Sequence, residues 1–395
     1  MTAPTQSFTP DPESLGSVHG HAAALVDYDR NDDRRRFRRE RRIGVFEGAL
    51  TTLGTIAVAL LLCFLILLAT GKDAVGAYEW LLSGPVSRPT RFGRVLLETT
   101  TLSIVALSVA AAFRAGLMTL GAEGQLYMGA LAATVVALFV PLPPGWAVIV
   151  PLLSAMTVGM LCAALPAWMK AALGANELVA TLMLNAVLVR LYSFVLTNWL
   201  TPEGATSVAS EYLPSEALIP ALTAVFGVNL DNANLMMFFI PVLAVAVWVL
   251  LNRTPLGYSV RMSGSNALFG LFGGIAPRRV IVWCFLIGGA IAGLAGAHIV
   301  QGVSERALLT LSAGVAFDGI MVAILARANP LLIPIAAFFY AYLKVGGLVM
   351  EQEMSIGTEI VSVIQALVVL MASAQILLVL VRRRRAASAG KELAK

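Results

Sequence analysis

The chain has little with which to do covalent or redox chemistry. Only three of its 395 residues are cysteine. Cys63, Cys162 and Cys284 each sit inside an apolar run and share no spacing, so neither a disulfide framework nor a cysteine metal site is indicated and they read as packing residues. No Gly-x-x-x-x-Gly-Lys-Ser/Thr phosphate loop, His-Glu-x-x-His pair or Gly-x-Ser-x-Gly elbow occurs, which leaves nucleotide, zinc-protease and serine-hydrolase chemistry without residues. The expectation is a chain that is not an enzyme and binds no cofactor or metal, with any ATP and magnesium chemistry supplied by another polypeptide. Charge is scarce too, at 13% of residues against roughly 25% in ordinary soluble domains.

What the sequence has instead is apolar length. Hydrophobic residues make up 58% of it, and the mean hydropathy is +0.82. A bilayer span needs about 20 apolar residues. Ten runs are candidates: 48–70, 95–113, 124–140, 146–168, 178–200, 235–252, 280–300, 313–328, 331–350 and 358–381. The third and eighth are short and interrupted by glycine. The expected fold is an all-α polytopic membrane helical bundle of about ten transmembrane helices, with two inverted repeats and broken helices. Residues 1–47 read as a disordered cytoplasmic tail, 48–381 as the membrane domain and 382–395 as a basic cytoplasmic tail. No signal-peptide h-region precedes the first run, which reads as an uncleaved anchor.

Charge placement orients these spans. Seven arginines between 34 and 42 precede the first run and four at 382–385 follow the last. Such clusters can bind nucleic acid, but arginines flanking long apolar helices anchor topology on the cytoplasmic side. No nucleic-acid partner is expected, and both termini are placed in the cytoplasm. The loop 201–234, then external, holds Glu203, Glu211, Glu216 and Asp231 and no Lys or Arg; the next loop, internal, holds Arg253, Arg261, Arg278 and Arg279 and no acid. The external loop 71–94 dissents, with Lys72, Arg88, Arg91 and Arg94 against Asp73 and Glu79.

Residues 113–125 read Phe-Arg-Ala-Gly-Leu-Met-Thr-Leu-Gly-Ala-Glu-Gly-Gln, setting glycines, a carboxylate and a carboxamide between two spans. Non-helical backbone and a carboxylate at membrane depth persist where buried protein or a water-filled path satisfies them. Glu123 and Gln125 either face a path between helices or, for Glu123, cap the next helix against its dipole. Asn176 and Glu177 open the fifth span in the same way, capping being the simpler role. Asn185 and Arg190 lie within that span and Gln365 within the tenth. An arginine so placed must snorkel, pair or line water. His298 reads as a packing residue. Gly288, Gly289, Gly293 and Gly296, interleaved with alanines, make the seventh span a small-residue helix that lets neighbours approach closely.

A weak internal repeat lays 121–133 over 314–326, pairing Glu123 with Asp318 to within a residue, and 174–181 over 355–362, pairing Glu177 with Glu359. Copies five spans apart insert in opposite directions. Corresponding broken segments in inverted halves point to a translocation site.

With the motif islands Gly-Ala-Asn-Glu-Leu-Val-Ala-Thr-Leu-Met-Leu-Asn at 174–185, Thr-Pro-Leu-Gly-Tyr-Ser-Val-Arg opening the stretch 254–277, and Phe-Asp-Gly-Ile-Met-Val-Ala-Ile-Leu-Ala-Arg-Ala-Asn-Pro at 317–330, the chain resembles permeases of ABC importers in the branched-chain amino acid and simple-sugar superfamily, nearest the nucleoside-importer branch. The resemblance implies a second, different permease, an ATPase with two nucleotide sites, an extracytoplasmic solute-binding lipoprotein and a nucleoside or sugar-like solute, in a bacterial plasma membrane. The ATPase contact then falls on the internal loop 254–277, with Arg261, Gly264, Asn266, Phe269, Phe272 and Gly273 as coupling residues. Residues 264–272 lack the proline common in related loops and carry Phe269 and Phe272. A stand-alone secondary transporter with inverted repeats is the alternative, distinguished by having no ATPase for that loop to engage.

Overall fold

The computed structural model describes residues 61, 64, 65, 68, 73–227, 230, 233–312, 314–354, 362, 363 and 366. Both tails, most of the expected first and tenth spans, and Gln365 and Glu359 lie outside them. The helices are α1 (Ala74–Ser83), α2 (Pro89–Arg114), α3 (Ala122–Phe139), α4 (Trp146–Leu173), α5 (Glu177–Val195), α6 (Leu222–Phe226), α7 (Met236–Arg253), α8 (Pro255–Ser265), α9 (Ala267–Phe272), α10 (Pro277–Gly302), α11 (Val315–Leu325) and α12 (Ile333–Met354). Seven are long and apolar enough to cross a membrane: α2, α3, α4, α5 with its wider last turn to Leu200, α7, α10 and α12. They coincide with seven expected spans, and the 11-residue α11 with the eighth.

Local chemistry sets the boundaries. Asp73 caps α1 by accepting from the Val75 and Gly76 amides at 3.1 Å each. Proline opens α2, α8 and α10, where its missing N–H costs nothing and its fixed φ suits a first turn. Gly174, at φ 68°, ends α4 in the left-handed region that a residue without Cβ adopts freely.

The centre of the bundle is α10, which packs most extensively on α4 and α3 and then on α2. Its glycines explain the closeness. A Cβ at Gly288 would lie 2.6 Å from the Ser108 carbonyl of α2, and one at Gly289 would lie 2.5 Å from the Gly159 carbonyl of α4. A Cβ at Gly129 of α3 would lie 2.5 Å from the Cα of Gly293. Three neighbours therefore reach α10 backbone to backbone, as the small-residue pattern predicted. His298 is fully buried beside them, its Nδ1 3.2 Å from Thr101 Oγ1 and its Nε2 facing the Asn234 amide.

The two ends of α2 mark the two ends of the bundle. At its start, Gly93 abuts the backbone of Leu230, and the 201–234 loop is sewn to the far end of α10 by Ile219 N to Gln301 O at 3.0 Å and Leu213 N to Glu305 O at 2.9 Å. At its finish, Arg114 meets Gly264 of α8 and Ala328. Most of the loop 71–94 is helical, and its Arg91 pairs with Glu353 of α12 at 2.5 Å and lies over Trp80.

Candidate functional site

Two stretches of irregular, non-helical chain enter the bundle from opposite ends. Residues 115–121 run inward from Arg114 and turn into α3, whose far end lies against 214–217. Residues 303–312 run inward from the 201–234 end toward Gly314 and α11, whose far end lies beside Arg114. The two helices are therefore antiparallel, as an inverted repeat requires. The overlay of 121 on 314 matches the two helix starts, and Glu123, second in α3, and Asp318, fourth in α11, stand two positions apart rather than one.

Non-helical backbone at this depth needs partners, and one face of α5 supplies them every four residues. The Met118 amide lies within reach of the Glu177 carboxylate. Leu120 N donates to Thr181 Oγ1 at 3.3 Å. Asn185 closes the set with both ends of its amide, donating to the Leu120 carbonyl at 2.5 Å and accepting from Gly124 N at 3.0 Å. Farther along the helix the buried Tyr192 hydroxyl donates to the Leu308 carbonyl at 2.7 Å, so α5 holds the second non-helical segment as well. Tyr192 also stacks edge-to-face on Tyr127 of α3, with centroids 4.9 Å apart.

The segments meet at Glu123. Its Oε1 accepts from Ser312 Oγ at 3.4 Å, and Ser312 N donates to the Tyr127 hydroxyl at 3.3 Å. Gln125, two residues beyond Glu123 and one turn beyond Gly121, is buried against the Gly121 backbone. A carboxylate in the first turn of α3 offsets the helix dipole. Beside the Ser312 hydroxyl it also forms an acceptor and donor pair suited to hydroxyl- or amine-bearing solutes.

Asp318 belongs to a second polar cluster. Its Oδ1 accepts from the Tyr340 hydroxyl at 2.6 Å and its Oδ2 from Lys344 at 3.1 Å, while Lys344 also reaches Glu98 at 3.2 Å. One ammonium on α12 thus joins carboxylates on α2 and α11.

The remaining candidates separate. Asn176 is exposed and caps α5 through Leu178 N at 2.9 Å, and Glu177 pairs with Lys170 across the α4–α5 turn at 2.8 Å. Arg190 sits on the exposed apolar face of α5 with Val187 and Leu191, away from Glu123, and makes no ion pair among the described residues. Within 253–279, which the sequence presents as an internal loop, two helices stand, α8 and α9. The Arg261 guanidinium donates to the Leu251 carbonyl. Gly264 packs on the Arg114 carbonyl, and Asn266 N closes α8 on the Met262 carbonyl. Leu268, Leu271 and Phe272 are exposed, Phe272 at 88%, as is Gly273. The Phe269 side chain is outside the described residues.

Sequence reasoning passed over Thr181, Tyr192, Glu98, Lys344, Tyr340 and Arg114. The four-residue spacing of Glu177, Thr181 and Asn185 and the charges of Glu98 and Lys344 inside apolar runs were the available signals. Among the described residues no group of three or more His, Cys, Asp or Glu side chains is gathered as a metal site would require.

Comparison with known proteins gives this geometry its setting. The family described as branched-chain amino acid transport system / permease component matches residues 92–373. The chain is similar to the glucose ABC transporter permease protein of Haloferax volcanii, 32% identical over 81% of this chain and 86% of that one. It is similar to the guanosine ABC transporter permease protein of Bacillus subtilis, 29% identical over 78% and 87%, and to the nucleoside ABC transporter permease protein of Lactococcus lactis, 26% identical over 81% and 89%. No solved structure matches it. Because the family match takes in both broken segments, α5 and the 253–279 loop alike, the chain belongs to the branched-chain amino acid transport system permease family and is a membrane-spanning, non-catalytic permease subunit of an ABC importer.

Proposed function

We propose that the chain forms one half of the translocation pathway for a nucleoside or related sugar-like solute. The observation that carries this is the meeting of two antiparallel broken segments at Glu123 and Ser312, the arrangement in which half-helices of transporters bind their cargo. Glu123, Gln125 and Asn185 are the pathway residues in this reading. Asn185 holds the break open, and Asp318 sets the opposing half-helix. Relatives named for guanosine, nucleosides and glucose support the solute class. All three are rich in hydroxyl groups that a carboxylate and a serine can bind.

The partners follow the same reading: a second, different permease, an ATPase carrying both nucleotide sites with its ATP and magnesium, and an extracytoplasmic solute-binding lipoprotein. The loop 253–279 faces the cytoplasm and α9 docks in the ATPase, with Leu271 and Phe272 as anchors, since exposed apolar side chains next to four arginines and no acid suit a partner groove. Both termini lie on that side, a placement supported by the acidic 201–234 loop and the basic 253–279 loop.

The test is uptake into proteoliposomes containing the assembled complex and its binding protein. Labelled guanosine should accumulate with ATP and be competed by other nucleosides. Accumulation of glucose unaffected by nucleosides would move the solute to the hexoses, and accumulation of neither would overturn the solute class.

A further inference from the structure

Arg114 stands in the family-like stretch 113–125, yet neither the pathway nor the docking helix uses it. It ends α2 at the junction of three elements. The backbone of Gly264 in α8 lies directly on its carbonyl, so that any side chain at 264 would strike it, and the Gly116 backbone faces Gly264 as well. Its side chain crosses to the turn that follows α11, where Nε donates to the Ala328 carbonyl at 2.9 Å. Arg261 of α8 is its like-charged neighbour.

The residue it holds is in an unusual state. Arg327 and Ala328, which follow α11, have φ of 53° and 50°, the left-handed region that side chains with a Cβ rarely adopt. Gly314 at the other end of α11 has φ 87°. The half-helix is thus bracketed by left-handed turns. At the Ala328 end, relaxation of either residue to ordinary backbone would swing the carbonyl away from Arg114. A turn held in this sparsely populated region is the kind of strained element on which a switch can be built.

We infer that Arg114 is a coupling residue, packed at its backbone on Gly264 of the 253–279 loop and bonded through Nε to Ala328, so that displacement of the loop is passed to α11 and to the Ser312–Glu123 contact before its start. The inference rests on the reading that α9 docks the ATPase. Arg114 is a positioning residue and touches neither solute nor nucleotide.

The test uses the assembled complex and reads solute imported per ATP hydrolysed, with guanosine as the probe, or glucose if the wild type imports that. Arg114→Gln places an amide nitrogen where Nε stands and removes the charge; Arg114→Met places a methyl there. Arg114→Met should keep assembly and basal hydrolysis and lose import per ATP by about tenfold or more, whereas Arg114→Gln should stay within about twofold of wild type. Unchanged coupling in both variants overturns the inference, and so does equal loss in both, which would make the charge rather than the bond decisive. Lower assembly or melting temperature with unchanged import per ATP would reduce Arg114 to a helix cap and also overturns it. Should Arg114→Met fail to assemble, hydrogen exchange of the wild-type complex decides: amides 326–333 should change protection between nucleotide-free and ATP-trapped states, and no change is contrary. Leu271→Ser with Phe272→Ser separates the two readings. Full coupling in that variant with loss in Arg114→Met overturns the docking site but not the Arg114 bond, and the reverse overturns the bond alone.

Discussion

Asn185 shows how much one side chain can carry inside a membrane. It satisfies the Leu120 carbonyl and the Gly124 amide together, and each orphan left by its removal costs about 1–3 kcal/mol. Asn185→Leu should therefore lower the melting temperature of the purified chain and abolish uptake, and unchanged melting would show that water replaces the amide. Glu123→Gln keeps the shape and removes the charge. Uptake should fall about tenfold with assembly intact, whereas full uptake would leave Glu123 as a cap of α3. Glu123 and Asn185 were legible because a carboxylate or carboxamide beside glycines or inside an apolar run has no cheap place to go. Thr181 was not, since a hydroxyl can always bond to its own helix, as it does to the Glu177 carbonyl at 2.7 Å, and only the fold reveals its second partner.

At the scale of elements, seven of the ten expected spans were readable because length and apolarity define them, and α10 because glycine spacing reports close approach. Pairings were less readable. Lys344 and Glu98 stand 246 residues apart, and nothing local joins them. The helix α8 was hidden because its 11 residues mix glycine, serine and arginine and stand as a helix through the Thr254 cap and packing on α2 and α7. The Lys344 cluster also sets what holds α11. Lys344→Met leaves two carboxylates facing each other without a cation, a loss of roughly 3–5 kcal/mol for a buried pair and less for one still partly open to solvent. The variant should melt several degrees lower. Adding Glu98→Gln and Asp318→Asn to it should recover most of that loss; no recovery would show that Lys344 acts through contacts other than these acids.

At the scale of the molecule, the chain supplies a path and no engine. Family membership gives the class of machine; that a solute binds at the broken segments and that another subunit pushes on the loop 253–279 are the proposals made above. The proposed pairing with a different permease rests on the resemblance alone, because an interface needs both its faces. Native mass measurement of the complex should find this chain once beside a different permease, and two copies of it would contradict that pairing. The central claim, import driven by ATP in a separate subunit, is tested most directly by comparing two kinds of liposome, one holding this chain alone under proton and sodium gradients and the other the full complex with ATP. The account predicts concentrated guanosine only with the complex, dependent on ATP hydrolysis; concentration by the chain alone under an ion gradient would contradict it.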